Sequence, residues 1–72
     1  MYLYTVIQDQ MYLPDTGKYL TYGIHVEGSK GEELLTVSDI STDRKAVEDL
    51  AKRCTERQLH PVQLADIIED LL

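Results

Sequence analysis

The stretch KYLTYGIHVE, residues 18–27, decides the fold. Leu20, Tyr22, Ile24 and Val26 stand at every second position, with Tyr19, Thr21, Gly23, His25 and Glu27 between them. That period is the period of a strand with one apolar face, and its aromatic and β-branched residues suit a pleated surface. Turn chemistry brackets it on both sides. Upstream, Pro14 presets φ, Asp15 bonds to nearby amides and Gly17 accepts positive φ. Downstream, Gly28-Ser29-Lys30-Gly31 marks a second turn.

Working outward, residues 2–11 are rich in tyrosine and β-branched residues. Leu3, Thr5 and Ile7 lie on one face, and Tyr2, Tyr4 and Val6 on the other. Both faces are partly apolar, so this segment leaves open which one points inward. Residues 33–40 form a third strand with Leu35 and Val37 facing in. Short connections between successive strands favour an antiparallel meander.

At Ser41 the period changes. Ser41-Thr42-Asp43 supplies capping hydroxyls and a carboxylate that complements a helix dipole. Ala46, Val47, Leu50, Ala51 and Cys54 follow at helical spacing. Glu48 with Lys52 and Asp49 with Arg53 place an acid four residues before a base on the solvated face. Leu59-His60-Pro61 then breaks the helix, because Pro61 disfavours helical geometry at His60 and suits the first position of a new one. In residues 61–72, Leu64, Ala65, Ile67, Ile68, Leu71 and Leu72 fill an arc of about 160°. The expected architecture is a single α+β domain over residues 1–72. It is a three-stranded antiparallel β-meander followed by two amphipathic helices packed on one sheet face.

Composition narrows the function classes. The chain has 72 residues, 43% of them hydrophobic, with five tyrosines and neither tryptophan nor phenylalanine. Thirteen acids against seven bases give a net charge of -6. The apolar fraction is too high for a disordered chain. No apolar run approaches the roughly 20 residues of a membrane helix. A basic start leading into an apolar run is missing, so the expectation is no signal peptide and a cytoplasmic setting. The single Cys54 fits a reducing compartment. Phosphate-backbone binding needs clustered Lys and Arg, so no nucleic-acid partner is expected.

Tyr22-Gly23-Ile24, Asp39-Ile40-Ser41-Thr42-Asp43, Leu59-His60-Pro61-Val62-Gln63-Leu64 and Asp66-Ile67-Ile68-Glu69-Asp70 together give the chain a distinctive pattern. It resembles a set of short, uncharacterised proteins from Gram-positive, largely clostridial, bacteria, catalogued as a domain of unknown function. The resemblance covers almost the whole chain and implies a standalone bacterial domain. It implies no activity, ligand or partner.

Candidate chemistry is sparse. His25, Cys54 and His60 provide three ligands for a metal- or cofactor-assisted enzyme subunit. Structural zinc, however, usually takes four ligands in two close pairs, and Cys54 falls in an apolar stripe where a buried thiol is the ordinary outcome. Ser41 or Cys54 as nucleophile lacks any signature such as a nucleophile elbow. Asp66, Glu69 and Asp70 have the spacing of an exposed helix face rather than of a catalytic acid pair. Ser41-Thr42 with Arg44 and Lys45 offers a phosphate a helix N-terminus, and Asp43 opposes it.

Two surfaces invite contact. If Leu3, Thr5 and Ile7 join Tyr22, Ile24 and Val26 on the core face, then Tyr2, Tyr4 and Tyr19 line the other face. The C-terminal helix offers Leu64, Ile67, Ile68, Leu71 and Leu72. Tyrosine interleaved with acids suits protein contact better than nucleobase stacking. The expectation is a small cytoplasmic protein-interaction or regulatory module, non-catalytic and without a cofactor. Its partner is another protein or a second copy of itself, since so small a core leaves little stability to spare.

Overall fold

In the computed structural model, which describes residues 1–71 and side chains through Glu69, three strands precede two helices. They are β1 (Leu3–Leu13), β2 (Gly17–Glu27), β3 (Glu33–Ser41), α1 (Arg44–Arg57) and α2 (Leu64–Leu71). A 3-10 turn over Pro61–Gln63 leads into α2. The sheet order is β1-β2-β3 and both pairings are antiparallel. The β-β-β-α-α order expected from the change of period at Ser41 is the order found.

The first hairpin is longer than its sequence pattern indicates. Leu13 pairs with Gly17, so the loop contains only Pro14, Asp15 and Thr16. Gly17 stands at φ 85°, the left-handed position that closes a three-residue hairpin loop and that side chains resist. With eleven residues in each strand, the hairpin accounts for most of the 41 Å long dimension of the molecule.

Register answers what residues 2–11 left open. Tyr4 pairs with Val26 and Val6 with Ile24, so the even-numbered residues of β1 share the core face. Tyr4, Ile24, Val26 and Ile40 from the sheet are buried together with Val47, Leu50, Ala51 and Cys54 from α1 and Leu64 from α2. Leu35 and Val37 pack against this cluster, as expected. Ala46 is exposed, one position outside the stripe it was expected to share, because α1 turns Val47 and Leu50 toward the sheet. Leu20 shares the register face of Ile24 yet is 47% exposed, because the core cluster contains nothing from the hairpin beyond Tyr22.

β3 covers β2 only from Tyr22 to Glu27. Its ladder is broken where Tyr22 pairs with Ser41 but Ile24 pairs with Val37, leaving Ser38, Asp39 and Ile40 opposite Gly23 alone. Asp39 takes φ 55° in this bulge. The bulge crosses so close to Gly23 that a Cβ there would overlap the Val37 carbonyl oxygen and stand 2.8 Å from the Ser38 Cα. Thr21, fully buried, donates its hydroxyl to Asp39 Oδ1 (2.8 Å), with the Ser41 carbonyl oxygen 3.2 Å away. A buried hydroxyl without a partner costs free energy, so this bond fixes the bulge over the strand.

Helix ends are closed locally. Asp43 is the N-cap of α1 and accepts from the amides of Lys45 (3.1 Å) and Ala46 (3.4 Å), while Ser41 Oγ accepts from the Asp43 amide. Glu48 turns back to Arg44 (2.6 Å) rather than forward to Lys52, which replaces the pairing expected from sequence. At the other end Gln58 takes the left-handed conformation, φ 48°, and its amide bonds back to the last turn. No helix among the described residues is long and apolar enough to cross a membrane.

Gly23→Ala tests the bulge directly. The added methyl meets backbone rather than a movable side-chain tip, so we expect a loss of roughly 1–3 kcal/mol in urea unfolding. A midpoint equal to that of wild type would show that β3 does not cross Gly23 this closely.

Candidate functional site

The end of β1 nearest the helices is a closed site. Tyr4 puts its ring in the core and its hydroxyl donates to the Leu59 carbonyl in the link between α1 and the 3-10 turn. On the same residue, the Tyr4 amide donates to Thr55 Oγ1 (3.1 Å), whose hydroxyl lies 3.5 Å from the Tyr4 carbonyl. One turn on, the Gln58 side-chain amide completes the edge: its Nε2 donates to the Tyr2 carbonyl (3.0 Å) and its Oε1 accepts from the Tyr2 amide (2.7 Å). Thr55 and Gln58 therefore stand where a neighbouring strand would pair. They are the residues that sequence reading missed, since a Thr and a Gln on a solvated helix carry no signal of what they meet.

His60 continues this corner. Its Nδ1 accepts from the Val62 amide (3.2 Å), which puts the proton of the neutral ring on Nε2, and Gln63 Oε1 accepts from the His60 amide. The two bonds form a capping box at the start of the 3-10 turn, with Pro61 in the first position. The ring meets Tyr2 edge-on at 5.6 Å. Beside it lies an open groove of about 530 Å³, walled by Tyr2, Glu32, Leu34, His60 and Pro61.

The three residues of the metal reading do not converge. His25 lies on the sheet face opposite the helices, within reach of Thr36 (2.9 Å), Glu27 (3.2 Å) and Glu33 (3.8 Å). Cys54 is fully buried on the helix side, and His60 caps the 3-10 turn. The sheet stands between the first and second. Among the described residues, no three His, Cys, Asp or Glu side chains are placed to hold one metal ion.

The tyrosine surface also takes a different form. Tyr2 packs against the core and Tyr4 is 5% exposed, because the register puts both under the helices. Tyr19 pairs with Met11 on the opposite face. The three rings thus line no common surface, which corrects the conditional pairing of Leu3, Thr5 and Ile7 with the core residues of β2. On α2, Leu64 is fully buried and Ile67 and Ile68 are half-buried against the core, while the side chains of Asp70, Leu71 and Leu72 lie outside the described residues.

Large apolar side chains are exposed at both ends of the molecule: Met1, Leu3, Leu34 and Val62 toward the helix end, and three more at the far end of the hairpin. Tyr12 is 69%, Leu13 46% and Leu20 47% exposed, where β1 and β2 run on without β3.

The whole chain, residues 1–72, matches the family described as "Family of unknown function (DUF6514)". The chain belongs to that family. No curated protein and no solved structure shows significant similarity to it.

Two ionisable groups are held neutral by the core. Burial pushes the Cys54 thiol up, with Arg57 pulling weakly the other way. Burial also raises the Tyr4 phenol, and Cys54 and Tyr2 as anions would add repulsion. A pKa raised on folding stabilises the fold fully below the unfolded value and loses that stabilisation as pH rises through the folded one. The ordinary values are 9.0 for the thiol and 10.0 for the phenol, so stability should fall in the alkaline range above them. Cys54→Ala should cost roughly 1–2 kcal/mol at neutral pH and reduce the alkaline loss. Urea midpoints across that range check both signs, and a variant with the full wild-type alkaline loss would remove Cys54 from the account.

Proposed function

We infer that this chain is a non-catalytic interaction module of the bacterial cytoplasm, and that its working surface is the two-stranded end of the β1–β2 hairpin. The observation that carries this reading is the exposure of Tyr12 and Leu20 on one face of the hairpin end and of Leu13 on the other, in a protein that buries Ile24, Val26 and Leu64 completely. Met1, Leu3, Leu34 and Val62 are exposed too, at the other end, but the hairpin end adds to its three exposed side chains a stretch that no third strand and no helix covers. Charge distribution is compatible with the same surface. Residues 6–22 carry Asp9, Asp15 and Lys18, a net −1 out of the chain's -6, so little net charge opposes a partner at the hairpin end. The single buried thiol of Cys54 agrees with a reducing compartment. The resemblance to clostridial proteins supports the bacterial setting.

A photo-crosslinking residue in place of Tyr12, irradiated in the producing cell, tests this. Discrete adducts are expected from position 12, at least tenfold weaker when Leu20→Asp is added and absent when the label replaces exposed Glu56 on α1. Equal labelling from both positions would overturn the assignment of the surface.

A further inference from the structure

Main-chain groups at the hairpin end are as unpartnered as its side chains. The amide and carbonyl of Tyr4 both face away from β2, since Thr55 meets them from α1. The β1–β2 register runs without a break from Leu3 to Leu13, so the main-chain groups of Val6, Gln8, Gln10 and Tyr12 face the same way. Among the described residues, the side-chain hydrogen bonds that reach this edge from α1 and its cap are those of Gln58 to Tyr2 and Thr55 to Tyr4. Beyond Tyr4, the one bond drawn to it among the described residues is local: the Asp9 carboxylate accepts from the Gln10 amide (2.8 Å). No Lys, Arg or Pro blunts the edge between Val6 and Leu13.

We propose that β1 pairs through this open edge with β1 of a second copy of the chain, antiparallel and centred on Gln10, to make one six-stranded sheet. The inference rests on the reading of the hairpin end as the working surface and names its partner. Three observations select a second copy. An antiparallel strand edge is self-complementary, so a two-fold axis satisfies both copies with the same groups. The near-neutral charge of residues 6–22 lets two copies of an acidic chain meet here, while Glu48, Asp49, Glu56, Asp66 and Glu69 on the helices stand exposed away from the hairpin end. Pairing also turns the two-stranded end of the hairpin, an arrangement marginal in water, into four strands.

Centring follows from charge and from α1. A two-fold axis at Asp9 would set Asp9 against Asp9 of the other copy, and like charges directly opposite are unfavourable. An axis at Gln8 would pair Tyr12 with Tyr4, whose main chain is already taken by Thr55. An axis at Gln10 pairs Gln8 with Tyr12, Asp9 with Met11 and Ile7 with Leu13, and it keeps clear of α1.

Light scattering coupled to size exclusion at tens of micromolar should give twice the chain mass of 8.2 kDa. Gln10→Pro removes an amide that faces the edge and not β2, so it should give a folded monomer with the β1–β2 cross-strand contacts intact in its spectrum. Should that variant fail to fold, Gln10→Cys in a Cys54→Ala background decides: oxidation should form a disulfide dimer, because directly opposite residues in an antiparallel ladder stand about 5.5 Å apart. The same thiol placed at Glu56 should not cross-link. A wild-type mass of 8.2 kDa at every concentration overturns the proposal, and so does a dimer that survives Gln10→Pro without the position-10 disulfide. If the cell shows adducts from position 12 to some other protein while the purified chain stays monomeric, pairing fails and the interaction surface stands. With neither adducts nor dimer, both fail.

Discussion

The contact between the start of β1 and the end of α1 governs the rest of the structure. Tyr4 joins three things in one residue: a buried ring, a hydroxyl bonded to the Leu59 carbonyl, and main-chain groups met by Thr55. Burying the ring fixes which face of β1 turns inward, and a one-residue slip would move every side chain of the strand to the wrong side. Gln58 reinforces the contact from a left-handed backbone position that costs a non-glycine residue about 1–2 kcal/mol. Its two bonds to Tyr2 offset that cost and hold the residue there. The same corner sets His60 against Tyr2 and so shapes the open groove beside them.

Because this contact lies at one end of an eleven-residue strand, it divides the hairpin into unlike halves. The half near α1 has a third strand, a closed edge and a helical cover. The far half has two strands, an open edge and apolar side chains in water. The Thr21–Asp39 bond and the bulge over Gly23 mark the boundary, where β3 turns away toward α1. A fold assembled this way leaves the β1 edge without a helical cover beyond Tyr4.

Much of the element plan was legible in the residues. The alternation in 18–27, the turn residues on either side, the change of period at Ser41 and the break at Pro61 are local signals, and local hydrogen bonding follows them. Leu35 and Val37 read correctly because β3 has one apolar face. The misreadings have a common cause. Residues 2–7 are apolar on both faces, so periodicity alone could not choose between Tyr4 and Leu3. Leu20 continues the pattern of Ile24 and Val26, but a pattern does not state where the covering helix ends. Glu48 has a base four residues away on either side, and spacing alone does not choose between Arg44 and Lys52.

The sequence by itself determined the strand and helix segments, their order and the buried stripe of α1, because each depends on neighbours within a turn or an alternation. Tertiary structure alone decided the inward face of β1, the closing of its edge by Thr55 and Gln58, and the separation of His25, Cys54 and His60. Those outcomes join residues as many as 56 positions apart. Such contacts are selected by packing and by satisfying buried main-chain groups, and neither condition leaves a mark on the local order of residues.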